Sequence, residues 1–169
     1  MDLSTLANLI NAFAVTAGVI FAGVQIRDYR RRRQLDSMSA LVRSFQNLSF
    51  AEALRLVSSL PDNAQPEDIR TILGLKGEGH VYFLLTSWEA LAILLFRKEL
   101  TIELVDDFFS GPIIVSWRKL SRYVDAMRAE AKRDTYFEWV QWLAERMMER
   151  ESKIPAVPAH VAHRDWKTL

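Results

Sequence analysis

The sequence predicts an all-α protein in which one N-terminal transmembrane helix precedes a compact multi-helix cytoplasmic bundle. Three observations predict this class. An uncharged run of 24 residues extends from Leu3 to Ile26, and a block of arginines follows it directly. The remaining apolar residues recur at helical spacing, and no alternating strand pattern is present. The 169 residues suffice for one domain and an anchor.

The run from Leu3 to Ile26 is predicted to span a membrane. At a rise of about 1.5 Å per residue it extends about 36 Å, compared with a hydrocarbon core of about 30 Å. Its large apolar residues occupy all sides of the helix, as expected for a helix surrounded by lipid. A cleaved signal peptide and a buried helix of a soluble oligomer are the alternatives. No Lys or Arg precedes the run, which disfavours a signal peptide, and the arginine block that follows argues against both.

Charge is distributed unevenly along the chain. The formal net charge is +1, but residues 27–33 contain five arginines against Asp28, whereas residues 34–169 contain 17 basic and 19 acidic residues. A nucleic-acid-binding domain usually spreads basic charge over one face, so we expect no nucleic-acid partner. The absence of cysteine excludes disulfides, thiolate nucleophiles and cysteine-ligated zinc.

The arginine block also sets the expected orientation. Basic residues beside a span remain in the cytoplasm. We therefore expect the N-terminus outside and the C-terminal domain in the cytoplasm, with the protein in a bacterial inner membrane as a single-pass chain. The arginines expected to contact the headgroups of the lipid bilayer are Arg27, Arg30, Arg31, Arg32 and Arg33.

Small and polar residues form a stripe along the predicted span. Their spacing of three or four residues places them on one helical face, where small side chains allow another backbone to approach closely. The partner would be a second copy (a homo-oligomer) or another membrane protein. The residues expected to pack in this way are Ala7, Asn11, Ala14, Gly18 and Ala22.

Four segments are predicted along the chain. Residues 1–26 are the transmembrane anchor, 27–48 an Arg-rich juxtamembrane stalk helix, 49–151 the helical domain and 152–169 a flexible tail. The tail is expected to be loose because Pro155 and Pro158 interrupt a regular helix.

Local signals predict where the first helices of the domain begin and end. Ser49 and Glu52 have the spacing of a capping box, which predicts a helix that ends before Pro61. Pro66 is suited to the first turn of the next helix, and Gly74 is expected to end it. Gly77 to Gly79 is predicted to be a turn.

Val81 to Lys98 is nearly continuously apolar and is predicted to be the central helix of the domain core. A second transmembrane span is the alternative. It is disfavoured because Glu89 lies in the middle, and because the stretch from Val81 to Phe96 is only about 16 residues long where about 20 are needed.

Three further helices are expected after this segment. Thr101 is predicted to start a short helix through Phe109, and Ser110 to Pro112 to separate it from the next helix. The last helix is predicted to open with a capping box formed by Thr135 and Glu138.

Several stretches of the chain look like a family of small bacterial membrane proteins that carry a domain of unknown function. They are IFAGVQIRDYRRRR, LVRSFQ, EALRLVSSLP, SWEALAILL, LVDDFFSGPIIVSWRKLSRYV and YFEWVQWLAERM. The resemblance covers most of residues 13–150. It implies one N-terminal span and a helical cytoplasmic domain, and it assigns no activity and no site residue.

Candidate chemistry is sparse. Glu89 lies in the most apolar helix, where burial could raise the pKa of its carboxyl and make it an acid or base; pairing with a basic residue is the structural alternative. Asp106 and Asp107 are adjacent and therefore point in different directions on a helix. His160, His163 and Asp165 could approach a metal only on an ordered tail, so we expect no metal site.

Three further patterns have structural interpretations beside functional ones. The tryptophans on apolar faces are interpreted as core or interface packing. The basic residues Arg118, Lys119 and Arg122 could contact anionic lipid or form an ordinary solvated face. The sequence GLKGEG at residues 74–79 lacks the preceding strand of a phosphate-binding loop.

The sequence therefore favours a non-enzymatic interaction module or accessory subunit, tethered at the cytoplasmic face and without a cofactor. Two alternatives stay open. One is a small helical enzyme that uses Glu89 or Glu138 in a cleft. The other is a membrane-linked sensor or effector.

Overall fold

The computed structural model describes residues 2, 13–29, 43, 45, 47–155 and 157–167. No strand occurs among them, which confirms the all-α class. The chain separates into two compact units, Met1–Ser44 and Phe45–Leu169. Residues 13–29 are helical and are called α1. The second unit contains α2 (Leu48–Ser58), α3 (Pro66–Phe96), α4 (Ile102–Ala131), α5 (Glu138–Lys153) and the short α6 (Ala159–Ala162).

The helix α2 begins at Leu48, so the predicted capping box of Ser49 and Glu52 is wrong. Asn47 is the N-cap instead, and its Oδ1 accepts a hydrogen bond from the Phe50 N–H at 2.7 Å. Asn caps a helix at least as well as Ser, and it comes two residues earlier in the chain. Glu52 lies within the helix, where its carboxylate is 3.8 Å from His80 Nε2.

The helix α3 is kinked at Gly74 and continues to Phe96. The predicted turn at Gly77 to Gly79 is wrong, because these residues are helical. A helix was expected to end at Gly74, and the structure has a kink at this residue. Gly74 has a non-helical φ of 70° and ψ of −179°, and only glycine adopts this region without strain. The chain then re-enters a helix within one residue. An ion pair between Arg70 Nε and Glu78 Oε1, 2.5 Å apart, bridges the kink.

The kink also explains why residue 77, the second glycine of the sequence GLKGEG, is a glycine. A Cβ atom added at Gly77 would overlap with the Cβ of Leu73, whereas one added at Gly79 would have no atom within 4 Å. Gly77 is also buried, and Gly79 is exposed. Gly74 and Gly77 are therefore both required by the shape of α3, and Gly79 is not.

The helix α4 runs without interruption through Ser110, Gly111 and Pro112, so the predicted break there is wrong. Thr101 is its N-cap, as the expected start at this residue implied, and its Oγ1 accepts from the Leu104 N–H at 3.3 Å. An internal proline removes one helical hydrogen bond and costs about 3 kcal/mol. Burial of the stripe that flanks Pro112 offsets this cost; the stripe comprises Val105, Phe109, Ile113, Ser116, Leu120, Tyr123 and Val124.

The core of the second unit forms around α3, which packs against α2, α4 and α5. This confirms that the Val81 to Lys98 region contains the central helix. Trp88 is fully buried and contacts the rings of Phe45, Phe50 and Phe109. The other fully buried α3 side chains are Ile69, Val81, Leu84, Leu85 and Ala92.

Within the described ranges, α3 is the one helix whose length and composition would allow it to cross a membrane. Its best window has a mean hydropathy of 1.4, and 39% of that window is buried inside the protein. The central helix of a soluble domain has the same length and composition, so this finding is weak evidence for a span.

Candidate functional site

Three residues of the predicted packing stripe lie on α1. Ala14, Gly18 and Ala22 are helical and exposed, and their spacing of four residues places them on one face. A Cβ atom at Gly18 would meet nothing within 4 Å. Ala7 and Asn11 lie outside the described residues.

Arg27 is the one member of the arginine block that the structure describes. It is helical and exposed near the end of α1. The other four members, Arg30, Arg31, Arg32 and Arg33, lie outside the described residues.

The Glu89 carboxylate of α3 caps the start of α5. Its Oε2 accepts a hydrogen bond from the Val140 N–H at 2.9 Å. The predicted capping box of Thr135 and Glu138 is wrong: α5 begins at Glu138, and its N-cap Phe137 has a φ of 52° and makes no side-chain cap. The first N–H groups of a helix lack partners within the helix, and a carboxylate from α3 satisfies one of them here.

The pKa of the Glu89 carboxyl reflects this position. Burial raises the pKa above its ordinary value of 4.5, and the N–H groups of Val140 and Trp139 oppose the rise. The charge of Glu138 adds to the rise, and Arg128 opposes it. Glu89 is therefore held in place by a helix start, and its structural partner is the backbone of α5 rather than a basic side chain.

Arg128 secures the loop that precedes α5. Its Nε donates to the Tyr136 carbonyl at 2.9 Å, and its Nη1 donates to Gln141 Oε1 at 2.8 Å. Its Nη2 is 3.5 Å from the Phe137 carbonyl. Two side chains, one from α3 and one from α4, thus fix the entry into α5. The sequence contains no signal for the pairing of Arg128 with this loop.

A shallow depression of about 230 Å³ opens beside Glu89. It contains a carboxylate, a guanidinium and two phenols, and the Tyr82 and Tyr136 hydroxyls are 3.4 Å apart. Glu138, the alternative carboxylate considered for an enzyme, does not line it. The lining residues are Tyr82, Glu89, Arg133, Thr135, Tyr136 and Phe137. This arrangement can hydrogen-bond a small polar molecule, but its carboxylate already stabilises α5.

The adjacent carboxylates of α4 differ in their surroundings. Asp106 Oδ2 accepts from Arg150 Nε of α5 at 2.6 Å, and Asp107 is exposed. The expectation that they form no carboxylate pair agrees with this arrangement. Asp106 connects α4 to the last turns of α5.

Two members of the basic patch on α4 bind one carboxylate. Asp62 accepts from Lys119 Nζ at 2.7 Å and lies 3.2 Å from Arg118 Nε. The hydrogen bond from Lys119 is the main cause that lowers the pKa of Asp62. The backbone adds to this contact, because the Asn63 N–H donates to the Arg118 carbonyl at 2.9 Å. These cations hold the α2–α3 loop on α4. Arg118 and Arg122 are both exposed, and Lys119 is half-buried.

The histidines of the tail do not assemble a metal site in the part of the chain that the structure describes. His160 lies on the four-residue α6, and His163 ends it. No group of three or more His, Cys, Asp or Glu side chains able to hold a metal occurs among those residues.

Trp88 differs in environment from Trp139 and Trp142. It is enclosed by aromatic rings, and its buried Nε1 has no hydrogen-bond partner among the residues that the structure describes. Trp139 and Trp142 are half-buried and contact the exposed ring of Phe96, with centroids 4.7 and 6.1 Å away. At these distances the three rings pack against each other. Ring contacts of this kind are what their interpretation as packing residues predicts.

The fold and these contacts define a class of small all-helical domains that are held together by aromatic packing and interhelical ion pairs. The chain belongs to the family described as "Domain of unknown function (DUF4760)", whose model matches residues 12–147. The matched range includes α1 to α4 and most of α5. No curated protein and no solved structure matches the chain.

Proposed function

We propose that this protein is a non-enzymatic interaction module, tethered by α1 to the bacterial inner membrane and placed at its cytoplasmic face. The observation that carries the proposal is the exposure of α1. Its large apolar side chains are between about half and three quarters exposed, from 51% at Val24 to 78% at Phe13. Removal of each such side chain from water contributes roughly 1.5–3 kcal/mol, so the seven on α1 would together favour a lipid environment by on the order of 10 kcal/mol. They are Phe13, Val15, Val19, Ile20, Phe21, Val24 and Ile26.

The arginine block supports the cytoplasmic placement of the domain. Arg27 follows the apolar residues of α1 directly, and four more arginines follow within six residues. Basic residues this close to a span remain on the cytoplasmic side. The N-terminus is then outside and Phe45–Leu169 is inside.

Reporter fusions test this topology. A green fluorescent protein fused after Leu169 is expected to fluoresce, and alkaline phosphatase at the same position is expected to be inactive, because each works on one side of the inner membrane. A matched pair of fusions before Met1 should show the opposite activities. Active phosphatase at the C-terminus would overturn the orientation.

The stripe of Ala14, Gly18 and Ala22 is the proposed association surface in the membrane. Gly18→Leu combined with Ala22→Leu is expected to weaken association about ten-fold or more, a change of about 1.4 kcal/mol, because two large side chains on this face would hold the helix backbones apart. Native mass spectrometry of the full chain, extracted gently from its own membranes, measures the associated species.

A matched control lies on the opposite face of α1. Ile20→Leu keeps the side-chain volume, Val24→Leu adds only one methylene, and the pair is expected to leave association unchanged. Equal association of both double variants and the wild type would remove the stripe from the proposal. A co-purifying second protein would identify the chain as an accessory subunit, and copies of the chain alone would identify a homo-oligomer.

The Glu89 arrangement supports the non-enzymatic form of the proposal over an enzyme. A general acid or base needs a carboxyl within hydrogen-bond reach of a substrate. Glu89 accepts a backbone N–H of α5, and Glu138 does not line the same depression.

A further inference from the structure

An open apolar groove lies where the start of α2 meets the part of α3 that follows the kink. Its volume is about 380 Å³, and it is lined by Ser49, Lys76, Gly79, His80 and Phe83. Leu48 precedes Ser49 in the chain and is 82% exposed, and Leu75 precedes Lys76 and is 85% exposed. These leucines have the highest exposure of any large apolar side chain described in the unit Phe45–Leu169.

The kink accounts for the exposure of Leu75. Gly74 leaves the helical conformation immediately before Leu75, so the turn that carries Leu75 and Lys76 departs from the line of the preceding helix. Gly79 leaves the groove open, because a Cβ atom there would have no neighbour within 4 Å. The surface is therefore apolar and concave, and it is a consequence of the backbone of α3.

Lys76 is the one lysine or arginine that lines the groove, and it forms no ion pair with any described residue. His80 lies 3.8 Å from Glu52 and compensates this carboxylate only when the imidazole is protonated, whereas Arg70 and Glu78 compensate each other across the kink. An apolar surface with an exposed lysine complements an anionic lipid surface, in which acyl chains lie below negative headgroups.

Chain length places this groove within reach of such a surface. Leu48, the first residue of α2, follows Ile26 by 22 residues. A fully extended chain spans at most about 3.5 Å per residue, so the segment between them reaches at most about 75 Å. A tether of this length holds the groove at a high effective concentration beside the bilayer. This step rests on the proposed function of α1.

We propose that the groove between α2 and α3 is a second, peripheral membrane contact, with Leu48 and Leu75 inserted at the acyl boundary and Lys76 at anionic headgroups. The domain then lies on the inner leaflet in one orientation. A protein partner that carries an acidic, apolar segment is the competing occupant.

Because the chain contains no cysteine, a single introduced cysteine can carry one spin label on the full chain. Leu75→Cys places a nitroxide at the groove, and Glu151→Cys places one on an exposed residue in the last turn of α5. The full chain is reconstituted in nanodiscs of phosphatidylcholine alone or in an equal mixture with phosphatidylglycerol. Frequent collision of the nitroxide with oxygen indicates that the label lies in lipid, and frequent collision with a nickel chelate indicates that it lies in water.

In the anionic discs the ratio of oxygen collisions to nickel collisions is expected to be several-fold higher for the label at residue 75 than for the label at residue 151, because oxygen is enriched in the acyl region and the nickel chelate stays in water. Adding Lys76→Glu should reduce this preference. Equal water access at both positions in both lipids would overturn the proposal.

The same samples separate this proposal from the tether. If the chain does not stay with the discs after an alkaline wash, the proposed function of α1 fails. If it stays and residue 75 is water-exposed, only the groove proposal fails. A label that is shielded from both reagents in native membranes but water-exposed in discs would assign the groove to a protein partner and overturn the lipid contact.

Discussion

Replacement of Gly77 by alanine is expected to lower the free energy of unfolding by about 2 kcal/mol. The added Cβ would overlap with the Cβ of Leu73, and overpacking of this kind costs about 1–3 kcal/mol. The clash involves the first atom of a side chain, so rotation about χ angles does not relieve it. The turn between Leu73 and Gly77 must open, and the ion pair of Arg70 and Glu78 across it is then disturbed. Urea unfolding of the full chain in a mild detergent, followed by helical circular dichroism, measures the loss.

Gly79→Ala is the matched control. The same methyl group is added two residues later in the same helix, where no atom lies within 4 Å. It is expected to leave stability unchanged or to raise it by up to about 1 kcal/mol, because alanine is the better helix former. Equal effects of the two substitutions would show that the close approach at Gly77 does not shape α3.

Replacement of Glu89 by alanine is expected to lower the free energy of unfolding by about 1–2 kcal/mol, the usual effect of losing a helix cap. The Val140 N–H would be left without its acceptor at a half-buried site. Glu89→Gln keeps an acceptor oxygen of the same shape and should recover most of the loss. Glu130→Ala, on an exposed residue of α4, is the control and is expected to stay within about 0.5 kcal/mol of the wild type.

The pH dependence of Glu89 has a defined sign. Its pKa in the folded chain is raised by burial above 4.5, so the folded state binds more protons than the unfolded state between these two pKa values. Stability then falls as pH rises through this window. As pH is lowered from neutral toward 4.5, the wild type is expected to gain unfolding free energy relative to Glu89→Gln. A constant difference between the two proteins, or a change in the opposite direction, would contradict the assignment.

The helical class and the central helix could be predicted because they depend on periodicity summed over many residues. Val81 to Phe96 is apolar nearly throughout, and its inner positions such as Leu84 and Trp88 are buried. The helix boundaries were less predictable because they depend on single residues. The local sequence at Pro112 predicts a break in the helix. The apolar stripe of α4 continues across it, however, and tertiary packing outweighs the local preference.

The candidate site depended on contacts between helices that no local pattern contains. Glu89 was identified as unusual because a carboxylate in an apolar helix needs a partner. One signal in the sequence points to the backbone of α5 as this partner. Phe137, at the start of that helix, has no side-chain oxygen that could serve as a cap. The link from Arg128 to the Tyr136 carbonyl has no comparable signal, since arginines near the end of a helix are common.

Because α5 is capped by a residue 51 positions earlier in the chain, the last long helix depends on the rest of the domain for its own start. A 16-residue helix without a local cap is marginal in water. During synthesis α5 is therefore stable only once it reaches α3, and this is the step that closes the core. A chain that ends before Glu138 would leave exposed the apolar surfaces of α3 and α4 against which Val140, Leu143 and Met147 of α5 pack, and exposed apolar surface of this kind makes incompletely folded chains prone to aggregation.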